Sequence, residues 1–194
     1  MANGTLKVQN IETSSGSGTI TLGQSGETIA LGSGATQTLA LNTPAFQVHR
    51  SADVDLTPAT FTYVEFDTED LDTHDAYAIT GTGSSNRFTV PAGGAGRYFV
   101  SASVLVLGST NSGISYSDIY LLKNGTNIAY NMVDQRSNPV RQIQNVLNYI
   151  VDLDVGDFIN LQVRVSLAAG SADYRGDTGV RESRFGAFRL IGAE

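Results

Sequence analysis

The densest chemistry in the chain lies in Glu65, Asp67, Glu69, Asp70, Asp72 and Asp75, an acidic run interrupted by His74. Several carboxylates on a short stretch are what a hard cation such as calcium takes as ligands, and Asp70, Asp72 and Asp75 are the candidates for that role. The spacing departs from an EF-hand loop: His74 stands where a third acidic or amide ligand belongs, and no Gly followed by Glu comes after it. A solvated acidic loop without metal or cofactor is therefore the expectation, as it is for Asp152, Asp154 and Asp157 around a later turn. A Ser-His-Asp triad would have to use His49 or His74, the only two histidines, and the chain has no Gly-x-Ser-x-Gly elbow. It also lacks cysteine, so there is no thiol nucleophile, no disulfide framework and no Cys-ligated metal. This inventory points away from an enzyme.

Two further motifs invite a functional reading. Arg175-Gly176-Asp177 spells an integrin-binding tripeptide, but it lies in the Gly-rich charged segment Ala172 to Glu182, which reads as an ordinary surface turn. Arg136, Arg141, Arg164, Arg175, Arg181, Arg184 and Arg189 make arginine dominant over lysine, which suits bidentate pairing with carboxylates at interfaces. With 12 basic against 19 acidic residues, the net charge of -7 opposes non-specific binding to nucleic acid or to an anionic membrane. Residues Met1 to Asn10 have neither a basic nor an apolar region of signal-peptide type, and no apolar run of about 18 residues occurs. The expectation is a protein that is neither exported by a signal peptide nor inserted in a membrane.

The elements that position these residues are strands. In Arg87 to Leu107 a short apolar run enters a Pro-Ala-Gly-Gly-Ala-Gly turn and leaves as a long alternating strand, with Tyr98, Val100, Ala102, Val104 and Val106 on one face. Bulk on both faces near its end marks it as a central strand of a two-sheet sandwich. Further strands are expected at Ala45 to His49, Phe61 to Phe66, Arg87 to Val90, Ser117 to Lys123, Thr126 to Met132, Gln142 to Leu153, Phe158 to Val165 and Arg184 to Ile191. Asn124-Gly125 between two apolar runs predicts a type I′ hairpin. No stretch keeps a helical period, so the fold class is all-β.

Residues 1–43 differ from the rest. They have no aromatic residue and carry a degenerate repeat, Thr19-Ile20-Thr21-Leu22-Gly23, Thr28-Ile29-Ala30-Leu31-Gly32 and Thr38-Leu39-Ala40-Leu41-Asn42. One copy presents only a narrow apolar ridge, which neighbouring chains could bury. Two domains are expected: a β-repeat anchor or shaft over 1–43, and a head over 44–194.

In the head, Phe88-Thr89-Val90-Pro91 with Gly96-Arg97-Tyr98-Phe99, Leu122-Lys123-Asn124-Gly125, Val155-Gly156-Asp157 through Val163, and Phe185 through Leu190 resemble, in order and spacing, the C1q/TNF-like domain. The resemblance implies a jelly-roll sandwich of about ten antiparallel strands that assembles as a homotrimer, with Tyr98, Phe158, Phe185 and Phe188 in the core or near the three-fold axis. Two features depart from that pattern. The turn Ala92 to Gly96 is longer, and the repeat stands where secreted vertebrate members carry a collagen stalk. Gly4 to Ile11 followed by Gly18 to Gly23 resembles the leader of small structural proteins of tailed bacteriophages. That resemblance implies a non-enzymatic phage virion protein on the particle surface, a capsid decoration or cement protein or a fibre knob. Leu6, Val8, Ile11, Ile20, Leu22, Ile29, Leu31, Leu39 and Leu41 would form the particle anchor, with the chain itself and the major capsid or tail proteins as partners. The alternative is a tail-fibre adhesin that binds a host-surface receptor or glycan through the head loops Asp67 to Ser85, Gly108 to Ser115, Asp134 to Arg141 and Ala168 to Glu182. Those loops are poor in aromatics apart from Tyr77, Tyr116 and Tyr174, which weighs against a sugar platform on them.

Overall fold

Long strands with five or more inward apolar residues need a second layer to cover them, and the chain supplies it by folding into two packed antiparallel sheets. A computed structural model describes residues 43–190. The chain divides into one unit over residues 1–40 and another over 41–194. The repeat and the nine anchor residues lie outside the described residues. The strands are β1 Ala45–His49, β2 Val54–Leu56, β3 Thr62–Tyr63, β4 Thr68–Asp72, β5 Phe88–Thr89, β6 Gly96–Gly108, β7 Ile114–Lys123, β8 Thr126–Asp134, β9 Gln142–Leu153, β10 Phe158–Leu167, β11 Ala172–Tyr174 and β12 Arg184–Arg189. One sheet has seven strands, ordered β2-β11-β6-β12-β1-β4, with β9 on the other edge of β6; the second has five, ordered β3-β10-β7-β8, with β5 beside β10.

The alternation expected for β6 is what fixes the core. Tyr98, Val100, Ala102, Val104 and Val106 are all inaccessible to solvent, and from the facing sheet Ile159, Leu161, Val163 and Val165 of β10 meet them. Each large side chain buried this way contributes roughly 1.5–3 kcal/mol. At one end the core is aromatic: Phe46 stacks on Phe88 at 4.6 Å and meets Phe185 edge-on at 5.0 Å. At its middle one polar bond joins the sheets, with Asn145 Nδ2 of β9 donating to Ser117 Oγ of β7 at 2.8 Å.

Turns follow their chemistry. Asn124 and Gly125 take φ of 52° and 78°, the pair of positive values that a type I′ hairpin requires. The long turn before β6 is held from inside, because the Tyr98 hydroxyl donates to the Gly94 carbonyl at 2.6 Å. Burial pushes that phenol up to about 12.

Three strands arise where loops were expected: β4 inside Asp67–Ser85, β11 inside Ala168–Glu182, and β2 before Phe61. Each is short and carries charge, and the pairing comes from neighbours distant in sequence, β4 on β1 and β11 between β2 and β6. The expected strand Phe61 to Phe66 is a ladder only at Thr62–Tyr63, although Val64 and Phe66 still point into the core.

Candidate functional site

The face of the seven-stranded sheet turned away from the core follows from register. Phe99 of β6 lies opposite Ile150 of β9 on one side and Phe188 of β12 on the other, and Phe188 lies opposite Ala45 of β1. The rings of Phe99 and Phe188 are 5.5 Å apart. Ile150 is 54% exposed, Leu71 50%, Val146 49% and Phe188 47%, so this face is apolar and bare. Gly186 deepens it. A Cβ there would come within 2.8 Å of the Phe46 carbonyl oxygen, and its absence leaves a cleft of about 200 Å³ bounded by Gln47, Leu71, Phe99, Arg184 and Phe188. Tyr149, whose backbone neighbour Ile150 points the other way, is also 40% exposed, so the flank of β9 is uncovered as well.

Arg184 borders the cleft, and Ser101, Ser103 and Asn148 lie among the apolar side chains of this face, while its ion pairs stand toward the margin. Asp70 accepts both oxygens' worth of hydrogen bonding from Arg181 Nε, at 2.8 and 2.9 Å, and faces His49 Nδ1 at 3.1 Å and Gln47 Nε2 at 3.4 Å. Partial burial would raise the Asp70 carboxyl, but the bonds from Arg181 and His49 outweigh it and hold it below 3.8. Asp72 instead accepts the backbone N–H groups of His74, Ala76 and Tyr77, and Asp75 occupies a turn position with φ of 50°. The three calcium candidates are thus not brought together. Among the described residues no group of three or more His, Asp or Glu side chains is placed to hold a metal ion.

Arg175-Gly176-Asp177 is an internal clasp. Arg175 Nη1 donates to Asp53 at 2.5 Å and its Nε to Glu182 at 3.3 Å, while Asp177 accepts the N–H groups of Gly179 and Val180. Of the four residues assigned to core or axis, Tyr98 and Phe185 are fully buried and Phe188 is half exposed. Phe158 is half-buried, with the Arg87 guanidinium 3.9 Å above its ring.

The opposite surface, the open face of the five-stranded sheet, was not singled out from the sequence. Its register sets out rungs across the strands: Tyr63 of β3 beside Gln162 of β10, Tyr120 of β7 and Tyr130 of β8, and next to it Arg164, Asp118 and Met132. Tyr120 stacks on Tyr130 at 5.7 Å and meets Phe61 edge-on at 5.2 Å. Arg164 lies 4.5 Å over the Phe61 ring, and Arg136 lies 4.6 Å over Tyr116. Asp118 is wholly buried beneath them, bound by Arg164 at 2.5 and 3.2 Å and by the Tyr120 hydroxyl at 3.1 Å. Tyr77 and Tyr174, read as loop aromatics, are core residues: Tyr77 donates to Asn86, and the Tyr174 oxygen accepts from the Glu65 N–H. Tyr116 lies in β7 rather than in a loop.

No protein-family model and no curated protein matches the sequence. Solved structures do resemble the fold. Eiger TNF from S. frugiperda is 14% identical with a TM-score of 0.55, over 78% of this chain and 95% of that one. Murine APRIL at pH 5.0 is 11% identical with a TM-score of 0.54, over 77% of this chain and all of the other. The globular domain of the zebrafish complement 1qA protein, at 15% identity and covering 78% of this chain and 99% of its own, has a TM-score of 0.49. The two matches above a TM-score of 0.5 show the fold alone: residues 44–190 form an antiparallel two-sheet sandwich of the TNF-like jelly-roll type, with β12 between β1 and β6.

Proposed function

We propose that the chain is a non-enzymatic homotrimeric structural protein of a phage virion surface, a capsid decoration protein whose jelly-roll head projects outward. The observation that carries the self-association is the bare apolar face around Phe99, Ile150 and Phe188, together with the separate uncovered flank at Tyr149. A contact between two different surfaces of one chain is heterologous, and it closes into a ring when its rotation allows. The face supplies a cleft and the flank a protruding aromatic, the two halves such a contact needs. Support for the virion comes from the leader-like stretches Gly4 to Ile11 and Gly18 to Gly23, and the apolar ridge from Leu6 to Leu41 would seat the trimer on capsid or tail.

Light scattering on the purified full chain is expected to give three times the 20.5 kDa protomer mass. A monomer would overturn the trimer. Counting copies on purified particles tests the location: many copies fit decoration, a handful fit a tail fibre, and absence from particles overturns the virion assignment.

A further inference from the structure

We propose that the open face of the five-stranded sheet is a binding platform for a neutral oligosaccharide. A sugar ring shows C–H bonds on its faces and hydroxyls at its rim, so its complement is an exposed aromatic ring with a polar tip. Tyrosine combines the two. Here Tyr130 is 66% exposed and lies beside Tyr120, with Phe61 at 44% and Met132 at 37% completing the surface. The rung Tyr63, Gln162, Tyr120, Tyr130 sets hydroxyl and amide groups in a line across four strands. At about 4.8 Å between strands that line is long enough for a few sugar units.

The electrostatics select the ligand class. The chain is acidic overall, yet the charges beside the tyrosines are paired, Arg164 with Asp118 and Arg136 with Asp134 at 3.2 Å, while Arg87 covers Phe158 farther along β10. The platform therefore neither draws in a basic peptide nor suits an acidic polysaccharide. The buried pair also prepares the surface in advance. Asp118 fixes the Tyr120 hydroxyl and the Arg164 guanidinium, and Arg164 in turn holds Phe61, so little side-chain freedom remains to be lost on binding. A head that merely needed solubility could carry lysine and glutamate here; instead it carries stacked tyrosines over a neutralised carboxylate.

The inference concerns the face remote from the apolar one assigned to self-association and is read by a different measurement, so either can fail alone. The test is saturation-transfer NMR on the full chain with maltohexaose, cellohexaose and chitohexaose, and with hexagalacturonate as the acidic comparison. Transfer is expected to at least one neutral hexasaccharide at about 1 mM, the weak range of specific binding. Tyr130→Ala should weaken it tenfold or more, Tyr130→Phe should retain most of it, and Val155→Ser, in the turn between β9 and β10, should leave it unchanged. No transfer from any neutral sugar, transfer from the acidic one alone, or undiminished binding in Tyr130→Ala overturns the proposal. So does a fall in oligomer mass in Tyr130→Ala, which would make this face a contact between copies of the chain.

Discussion

The two open faces of the sandwich are both rich in aromatic and apolar side chains, yet they meet water differently. On the seven-stranded sheet Phe99, Phe188, Ile150, Val146 and Leu71 offer no polar group to the solvent, and the ion pairs stand at the margin, at Asp70 and Arg181. On the five-stranded sheet the ion pair is at the centre, with Asp118 beneath Arg164 and bound by the Tyr120 hydroxyl, and Tyr130 exposed beside them. The first face gains by being covered, since exposed apolar area is returned at about 25 cal/mol per Å² on burial. The second has its buried charge paired within the protomer and can stay wet until a ligand with the right chemistry arrives.

The largest effect should come where both faces rest on common ground. Phe185 is fully buried against Phe46, Phe66 and Tyr77, and Phe185→Ala should cost about 3–5 kcal/mol in urea unfolding while leaving neither face intact. Arg164→Ala strikes only the five-stranded face. It strands the buried Asp118 carboxylate and should cost about 3 kcal/mol, most of it recovered in the double variant Asp118→Leu/Arg164→Leu. If Arg164→Ala were neutral, the contrast between a self-satisfied and a bare face would fail. Phe188→Ser should do the reverse, changing protomer stability by about 0.5 kcal/mol or less while weakening association by about 2 kcal/mol, read as loss of the trimer mass on dilution.

The smallest effect is in acid. The Lys123 ammonium, with Asn124, holds the Asp157 carboxyl down at about 2, against 3.8 ordinarily, and Asp70 is held below 3.8. Groups lowered in the folded state stabilise it above their unfolded pKa, so this support should fade as the pH falls from about 4 to about 2. Thermal melting across that range should show the loss, and Asp157→Asn should flatten it.

Much of the sandwich was legible because its long strands are dictated by their own side-chain alternation. The bounds of β1 and β9 agree with those expected, and the inward row of β6 is the row read from period two. What escaped were strands whose pairing is supplied from elsewhere: β2, β4 and β11 carry Asp55, Glu69, Asp70 and Asp173, which taken alone look like loop residues. The tyrosine platform was hidden by register. Counting back from the Asn124-Gly125 turn would set Tyr120 opposite Ala129, but a bulge beside Leu121 and Leu122 shifts the pairing by one and brings Tyr130 across instead. Phe61 and Arg164 reach the same surface through contacts between distant parts of the chain, which no local pattern encodes.

The place of β12 between β1 and β6 also bears on how the head is made. β1 pairs β4 on one edge, but on the other its partner is β12, with Ala45 opposite Phe188, so that edge must wait unpaired until almost the whole sandwich has been synthesised. Contacts so remote in sequence go with folding in milliseconds to seconds rather than microseconds, and with an interval in which sticky strand edges stand open to other chains. Crowded synthesis would therefore test this protein most severely before it is finished, and slower translation or lower temperature should raise the yield of folded heads.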